Sequence, residues 1–292
     1  MKRLLSLPRG RTLDCGEVPL VMGIVNLTPD SFFAGSRRLD PLEAADRAQT
    51  LEGEGAAILD FGAESTRPGS RELDPAEEIS RLIPALREFR KRNTKAIVSV
   101  DTRHEAAARA ALDEGADLIN DIAALSDPAM AATAARYGAA VILMHMKGEP
   151  GTMQEKPEYD DCAAEVRDFL KERVSRALEA GIPASALVLD PGIGFGKTYA
   201  HNLDLLERLY LLAECGYPVL VGLSRKRMIG ELTGRSVEER MAGSLGAACA
   251  AWTLGADILR VHDVAATVDA LNVYSALAGI RHLDRRGRSR WT

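Results

Sequence analysis

Eight short apolar runs, rich in Val, Ile and Leu, recur along the 292-residue sequence, and each is bounded by Gly, Pro, Asp or Asn. Near-continuous apolar runs of this length are typical of strands that are covered on both faces, as in a parallel sheet. The runs occupy residues 18–26, 56–62, 96–102, 118–122, 140–146, 186–192, 218–224 and 258–263. A fold for this chain must therefore accommodate a large, mostly buried sheet.

Segments with a helical pattern, rich in Ala, Leu, Glu and Arg, separate these runs. Asp74 is a predicted N-cap, with Pro75 at the first helical position, and Gly138 is predicted to end a later helix. Strand–helix alternation repeated eight times predicts an α/β fold, a single-domain (β/α)8 TIM barrel. An open doubly wound sheet is the alternative, but it would carry a glycine-rich nucleotide fingerprint after the first strand, where LTPDSF stands instead.

The predicted barrel domain spans residues 18–282. An N-terminal extension (1–17) precedes it, and a basic C-terminal tail (283–292), which we expect to be solvated, follows it. The formal net charge of −5 does not favour a nucleic-acid or acidic-membrane partner. The four cysteines are scattered without a C-x-x-C pair, which indicates a reducing compartment. No apolar stretch approaches the roughly 18–20 residues of a membrane span, and the start lacks a signal-peptide core. We therefore expect a cytoplasmic protein.

Polar residues stand at the ends of all eight runs. A barrel of this type places its active site at the C-terminal ends of its strands. For Asp121 and Asp263 a helix cap or turn is the simpler interpretation. The residues at the eight ends are Asn26, Asp60, Asp101, Asn120 with Asp121, His145, Asp190, Ser224, and Arg260 with His262. The pattern predicts one site lined by acids, amides and cations.

The last two strands form the usual phosphate end of such barrels. Arg260 and His262 are two residues apart, so their side chains leave the same face of the strand, which would be the barrel interior. A buried arginine is costly unless an anion meets it. The alternative is an ion pair of Arg260 with Asp101 or Asp190. Arg225 and Arg227 are expected to face solvent or to pair on the surface.

The segment PGIGFGKT (191–198) resembles a nucleotide-binding loop but fails the pattern, because Pro191 stands where the first Gly is required. We interpret it as a glycine turn that offers Phe195 to a flat ligand, with Lys197 exposed. Asp60, Asp101 and Asp190 with Asn120 could hydrogen-bond a heterocycle rich in N–H donors, such as a pterin. These carboxylates could also stabilise a developing positive charge.

Eight motifs, in order along residues 18–280, resemble the signature blocks of the dihydropteroate synthase family. They are VMGIVNLTPDSF (21–32), LDFGAESTRPGS (59–70), VSVDT (98–102), NDI (120–122), MHM (144–146), LDPGIGFGKT (189–198), GLSRKRMIG (222–230) and RVHDV (260–264). The resemblance implies a sulfonamide-sensitive transferase of folate biosynthesis. Such an enzyme joins (7,8-dihydropterin-6-yl)methyl diphosphate to 4-aminobenzoate and releases diphosphate. It also implies Mg²⁺ as cofactor and a homodimer formed through the outer helices near the C-terminus.

The resemblance assigns a role to each matching residue. Asn26, a neutral oxygen ligand suited to Mg²⁺, would hold the metal on the diphosphate. Arg67, Arg260 and His262 would bind the diphosphate itself. The pterin would be bound by Asp101, Asn120, Asp190 and Lys226, between Ile122, Met144 and Phe195. The 4-aminobenzoate pocket would be shaped by Thr66, Arg67, Pro68 and Ser224. The catalytic set would be Asp101, Lys226, Arg260 and His262.

Two segments depart from the family pattern, and three other functions stay open. Gly62-Ala63 replaces a Gly-Gly pair, and residues 33–36 replace a Ser-Asp-Gly-Gly turn in the loop after the first strand. The other functions are a pterin-dependent methyltransferase-like barrel, a Schiff-base aldolase that uses Lys226, and a non-catalytic pterin-binding protein. A methyltransferase would not need a cationic anion site at the last two strands.

Overall fold

The computed structural model describes residues 3–27, 40–64, 73–149 and 151–278. Within these ranges, a short antiparallel pair of strands precedes eight parallel strands. The antiparallel pair is β1 (Arg3–Ser6) and β2 (Thr12–Cys15). The parallel strands are β3 (Leu20–Asn26), β4 (Ile58–Gly62), β5 (Val98–Asp101), β6 (Leu118–Asp121), β7 (Ala140–Met144), β8 (Leu187–Asp190), β9 (Leu220–Val221) and β10 (Ile258–Val261). All eight lie within the predicted apolar runs.

The parallel strands pair in the order β8-β7-β6-β5-β4-β3-β10-β9. A bridge between Leu189 and Val219 joins the two ends of this order, and the Leu189 amide donates to the Pro218 carbonyl at 2.9 Å. The sheet therefore closes on itself. The predicted barrel is confirmed, and the open doubly wound sheet is excluded.

Helices separate the parallel strands, and several begin with the predicted capping chemistry. The helices are α1 (Pro41–Glu54), α2 (Pro75–Arg92), α3 (Glu105–Asp113), α4 (Pro128–Tyr137), α5 (Cys162–Glu179), α6 (Tyr199–Glu207), α7 (Tyr210–Ala213), α8 (Arg227–Thr233), α9 (Met241–Thr253) and α10 (Val264–Leu277). The Asp74 carboxylate accepts from the Ala76 amide and caps α2, as predicted. Gly138 ends α4 with a φ of 62°, also as predicted. In the described part of the chain, no helix combines the length and apolar character needed to cross a bilayer.

The β1–β2 pair lies against the N-terminal end of the barrel. Arg3 forms an ion pair with Asp257, which immediately precedes β10. Arg9, Arg11 and Arg90 surround the buried Asp117, which immediately precedes β6. These contacts cover the end of the barrel at which the strands begin. The opposite end, where the strands finish in polar residues, is not covered by the β1–β2 pair.

Candidate active site

Arg260 links the ends of three strands inside the barrel. Its Nε donates to Asp60 Oδ2 and its Nη2 donates to Asp101 Oδ2, both at 2.6 Å. The predicted interior position of Arg260 is therefore confirmed, as is the alternative in which it pairs with Asp101. Asp60 is a second partner that the sequence did not predict for this arginine. The guanidinium presents its donors as a planar fork, which suits two carboxylates at once.

Two carboxylates sharing one cation leave a net negative charge when both are ionised. Burial raises the pKa of Asp101 to about 7, and Asp60 adds to the shift, while Arg260 opposes it. Burial on its own would lower the pKa of Arg260, but Asp60 and Asp101 raise it above the ordinary value. Arg260 therefore stays charged, and Asp101 titrates near neutral pH.

Asn120 and Asp60 present hydrogen-bond acceptors that the described part of the chain does not satisfy. The Asn120 amide nitrogen donates to Asp60 Oδ2 at 3.2 Å. Asp60 Oδ1 and Asn120 Oδ1 are buried without a hydrogen-bond partner among the described residues. A buried acceptor left unpaired costs free energy, about 1–3 kcal/mol. A ligand with N–H donors would remove this cost.

Asp190 and Lys226 lie on the opposite side of the same barrel end. Asp190 Oδ1 accepts from the Gly192 amide at 2.7 Å, and burial raises the pKa of Asp190. Burial lowers the pKa of Lys226 to about 8, although Asp190 opposes the shift. The Lys226 ammonium donates to the Ile193 carbonyl and lies 4.8 Å from the centre of the Phe195 ring. Ile122 and Met144, the other predicted wall residues, are buried just after β6 and at the end of β7.

His262, Ser224 and Asn26 are the remaining described residues of the predicted set. The Ser224 hydroxyl accepts from the His262 amide at 3.2 Å and lies 3.1 Å from His262 Nδ1. Thus the ends of β9 and β10 meet, as expected for the phosphate end of a barrel. Asn26 is exposed at the end of β3. Asn26 pairs with Gly62 of β4, and Gly62 pairs with Asp101 of β5. Asn26 therefore stands at the same level along the barrel axis as Asp101.

The surface predictions for the neighbouring arginines are confirmed. Arg225 forms a bidentate pair with Asp263 at 3.0 and 2.6 Å, and the exposed Arg227 pairs with Glu231 at 2.7 Å. Asp121 forms the expected turn by accepting from two backbone amides. The capping prediction for Asp263 is wrong, because its side chain does not cap α10. Its carboxylate instead makes the charge-assisted pair with Arg225.

The prediction that Lys197 is exposed is also wrong. Its side chain is buried, with 3% of the residue exposed, and its ammonium donates to the Gly192 and Phe195 carbonyls at 2.9 Å. The signal for this burial was present in the glycines rather than in the lysine. A Cβ at Gly192 would lie 1.9 Å from the His145 carbonyl oxygen, and one at Gly196 would lie 2.1 Å from that of Lys147. The loop is thus pressed onto the end of β7, which encloses Lys197.

Several predicted features lie outside the described residues. They are Thr66, Arg67 and Pro68, the turn at 33–36 and the basic tail. Among the described residues, no group of three or more His, Cys, Asp or Glu side chains could hold a metal ion by itself. The donor set at the barrel end still fits Mg²⁺ bound mainly through substrate phosphates and water, because such a site needs only one or two protein oxygens.

Comparison with known proteins agrees with this arrangement. A model of the pterin binding enzyme family matches residues 22–262. The dihydropteroate synthase of Escherichia coli (strain K12) is 45% identical over 268 residues, which cover 92% of this chain and 94% of that protein. The structure of Xanthomonas albilineans dihydropteroate synthase with 4-aminobenzoic acid superimposes with a TM-score of 0.88 at 46% identity, covering 96% of this chain and 100% of that one. The structure of the same organism's enzyme with 7,8-dihydropteroate gives a TM-score of 0.81 at 43% identity, covering 93% and 97%. The chain therefore belongs to the pterin binding enzyme family, and the relatives it resembles are dihydropteroate synthases.

Proposed function

We propose that this chain is a transferase that condenses (7,8-dihydropterin-6-yl)methyl diphosphate with 4-aminobenzoate to give 7,8-dihydropteroate and diphosphate. The family match and the identity to dihydropteroate synthases over most of the chain support this reaction. One structural observation carries it furthest. Arg260 is held between Asp60 and Asp101 at the barrel end that also contains Asp190 and Lys226.

In this proposal the pterin binds to Asp101, Asn120, Asp190 and Lys226. The buried acceptor on Asn120, which the described residues leave unpaired, supports it, since a pterin edge offers N–H donors. Lys226 supplies the complementary donor to a ring oxygen or nitrogen. Ile122, Met144 and Phe195 line the faces of the ring.

Arg260 and His262 bind the diphosphate. The guanidinium has five N–H donors, and the two ion pairs with Asp60 and Asp101 take two of them, which leaves donors for phosphate oxygens. Asn26 would hold Mg²⁺ at this end, and the ion would neutralise the diphosphate when bound. Ser224, in contact with His262, contributes to the 4-aminobenzoate pocket. The resemblance adds Thr66, Arg67 and Pro68 to that pocket, and Arg67 to the diphosphate site.

The chemistry follows from these positions. The bond between the exocyclic methylene and the diphosphate oxygen breaks, and the diphosphate leaves with the electron pair toward Arg260 and His262. The cation left on the methylene is delocalised into the pterin, and the ionised Asp101 stabilises it. The amine nitrogen of 4-aminobenzoate then forms a bond to the methylene, and the resulting cationic amine releases its extra proton to water. No covalent enzyme intermediate is required.

A homodimer is proposed through the outer helices near the C-terminus. Apolar side chains are exposed there: Val273 and Leu277 on α10 are 60% and 83% exposed, and Met241 on α9 is 45% exposed. Apolar surface of this kind is what a protein interface covers. Sedimentation at about twice the chain mass of 31.5 kDa would support the dimer, and a species of single-chain mass would contradict it.

The reaction itself is tested by an assay of diphosphate release. We expect release to require both the pterin diphosphate and 4-aminobenzoate, with 7,8-dihydropteroate formed in equal amount. Release at the same rate without 4-aminobenzoate would contradict the proposed transfer. Methyl transfer without diphosphate release would instead favour a methyltransferase-like barrel.

The pH profile of kcat/KM is expected to rise toward pH 7 and to fall above about pH 8. Below about pH 7 Asp101 is protonated and neutral, so it cannot stabilise the cation, and the rate grows as the pH rises through its raised pKa. Above about pH 8 Lys226 loses its proton and its charge. Stopped assays between pH 5 and 10 measure both limbs. Asp101→Asn should remove the acidic limb, and persistence of that limb in this variant would assign it to another group.

A further inference from the structure

The loop between β8 and α6 has an unusual set of hydrogen bonds. Its five consecutive carbonyls at residues 192–196 each accept a hydrogen bond from a side chain. The donors are Lys197 to Gly192 and Phe195, Lys226 to Ile193, Gln154 to Gly194 at 2.6 Å, and Tyr159 to Gly196 at 2.8 Å. Of these donors, Lys226 alone belongs to the proposed pterin site. The others lie outside it.

Lys197 is buried between this loop and His145, which follows β7. Its ammonium also lies 2.9 Å from His145 Nδ1 and 3.3 Å from the His145 carbonyl. Burial lowers the pKa of His145 well below its ordinary value, and the charge of Lys197 lowers it further. The ring is therefore neutral and can accept a hydrogen bond. The three ammonium donors thus have four acceptors, from the end of β7 and from the loop.

The bonds of Lys197 reach the proposed pterin site through Gly192 and Phe195. The Gly192 carbonyl accepts from Lys197, while the Gly192 amide donates to the Asp190 carboxylate at 2.7 Å. The Phe195 carbonyl accepts from Lys197, while the Phe195 ring faces the Lys226 ammonium. Gly192 and Phe195 therefore contact both Lys197 and groups of the proposed pterin site.

The hydrogen-bond partners of the Lys197 ammonium are His145 and the carbonyls of the loop, so we assign it a role in holding the loop and not in contacting the pterin. A nonpolar side chain of similar length would fill the same space but would leave the Phe195 carbonyl without its donor, and it would leave the Gly192 carbonyl with only the Phe195 amide. Burial lowers the pKa of Lys197 to about 7, so holding this ammonium inside the protein is energetically costly. The cost is consistent with a role in fixing the loop.

We propose that Lys197, together with Tyr159, is a positioning residue for pterin binding, which holds residues 192–196 in the shape that orients Asp190 and Phe195 toward the ligand. The inference rests on the proposed function. It adds a residue that acts through others and that does not touch the substrate.

Lys197→Met tests the proposal, because methionine is similar in length and lacks the donors. We expect the KM for the pterin diphosphate, and its Kd by calorimetry, to rise on the order of 10–100-fold, since misplaced binding groups have effects of this size. The KM for 4-aminobenzoate should change by no more than about twofold, the range for independent sites. Lys171→Met, at an exposed position on α5, is the matched control and should leave both constants unchanged.

Equal rises in both KM values, or no rise in either, would overturn the proposal, since a general loss of stability would not select one substrate. If Lys197→Met does not fold, Tyr159→Phe removes only the donor to Gly196 and should raise the pterin Kd about fivefold, the effect of one hydrogen bond. An unchanged Kd in that variant would also overturn the proposal. Pterin binding without turnover in the unsubstituted protein would instead count against the proposed reaction, so the two failures are distinguishable.

Discussion

Arg260→Ala is expected to reduce 4-aminobenzoate-dependent diphosphate release on the order of 10²–10³-fold, the usual effect of removing one electrostatic stabiliser from an active site. The free energy of unfolding should also fall, by about 3 kcal/mol, because Asp60 and Asp101 would be left together without their shared cation. Steady-state kinetics and denaturant unfolding measure the two effects. The fall in the free energy of unfolding should be larger above pH 7, because Asp101 is then ionised and its charge has lost its partner.

Two variants serve as controls for this prediction. Arg260→Lys keeps the charge but cannot bridge two carboxylates with a planar fork. Its activity should therefore lie between that of the unsubstituted protein and that of Arg260→Ala. Arg227→Ala removes an exposed arginine whose partner is Glu231, and its stability should change by less than about 0.5 kcal/mol. Unchanged turnover in Arg260→Ala would remove this residue from the diphosphate site.

Gly192→Ala is expected to lower the free energy of unfolding by about 4 kcal/mol, at the upper end of single substitutions, and to abolish measurable pterin binding. The new Cβ would lie 1.9 Å from the His145 carbonyl oxygen, so either the loop or the end of β7 must move. The loop could move only by breaking its bonds to Lys197 and Asp190. Thermal unfolding and calorimetric titration with the pterin diphosphate measure the outcome.

Gly216→Ala is the matched control, because this glycine also has a positive φ, of 87°, but no atom lies within 4 Å of its added Cβ. Only the left-handed backbone is then penalised, by about 1–2 kcal/mol. Equal effects of Gly192→Ala and Gly216→Ala would mean that the close approach of the loop to the end of β7 contributes neither to stability nor to pterin binding.

The barrel was predictable from the sequence because its signals are local. Each strand is a short apolar run, and helix caps such as Asp74 act within two residues. The grouping of Asp101, Asp190 and Arg260 was predictable for a different reason: parallel strands bring their C-terminal ends together whatever the details of packing.

Partner choice at the site was not predictable in the same way. The sequence offered Asp101 or Asp190 as partners of Arg260, and the structure pairs it with Asp101 and with Asp60, which is 200 residues away. The burial of Lys197 depends on how closely Gly192 and Gly196 approach the end of β7. Asp263 could cap a helix or pair with Arg225, and only the position of that arginine decides between the two. The pairing of Arg260 with Asp60 and of Asp263 with Arg225 depends on contacts between separate segments, which residue patterns do not encode.

The most direct test of a single site at the C-terminal ends of the strands is a crystal structure of the protein with the pterin diphosphate bound. The pterin edge is expected against Asp101, Asn120 and Asp190, with the diphosphate toward Arg260 and His262. A pterin ring bound elsewhere, or a diphosphate beyond hydrogen-bond distance of both Arg260 and His262, would contradict the proposed mechanism.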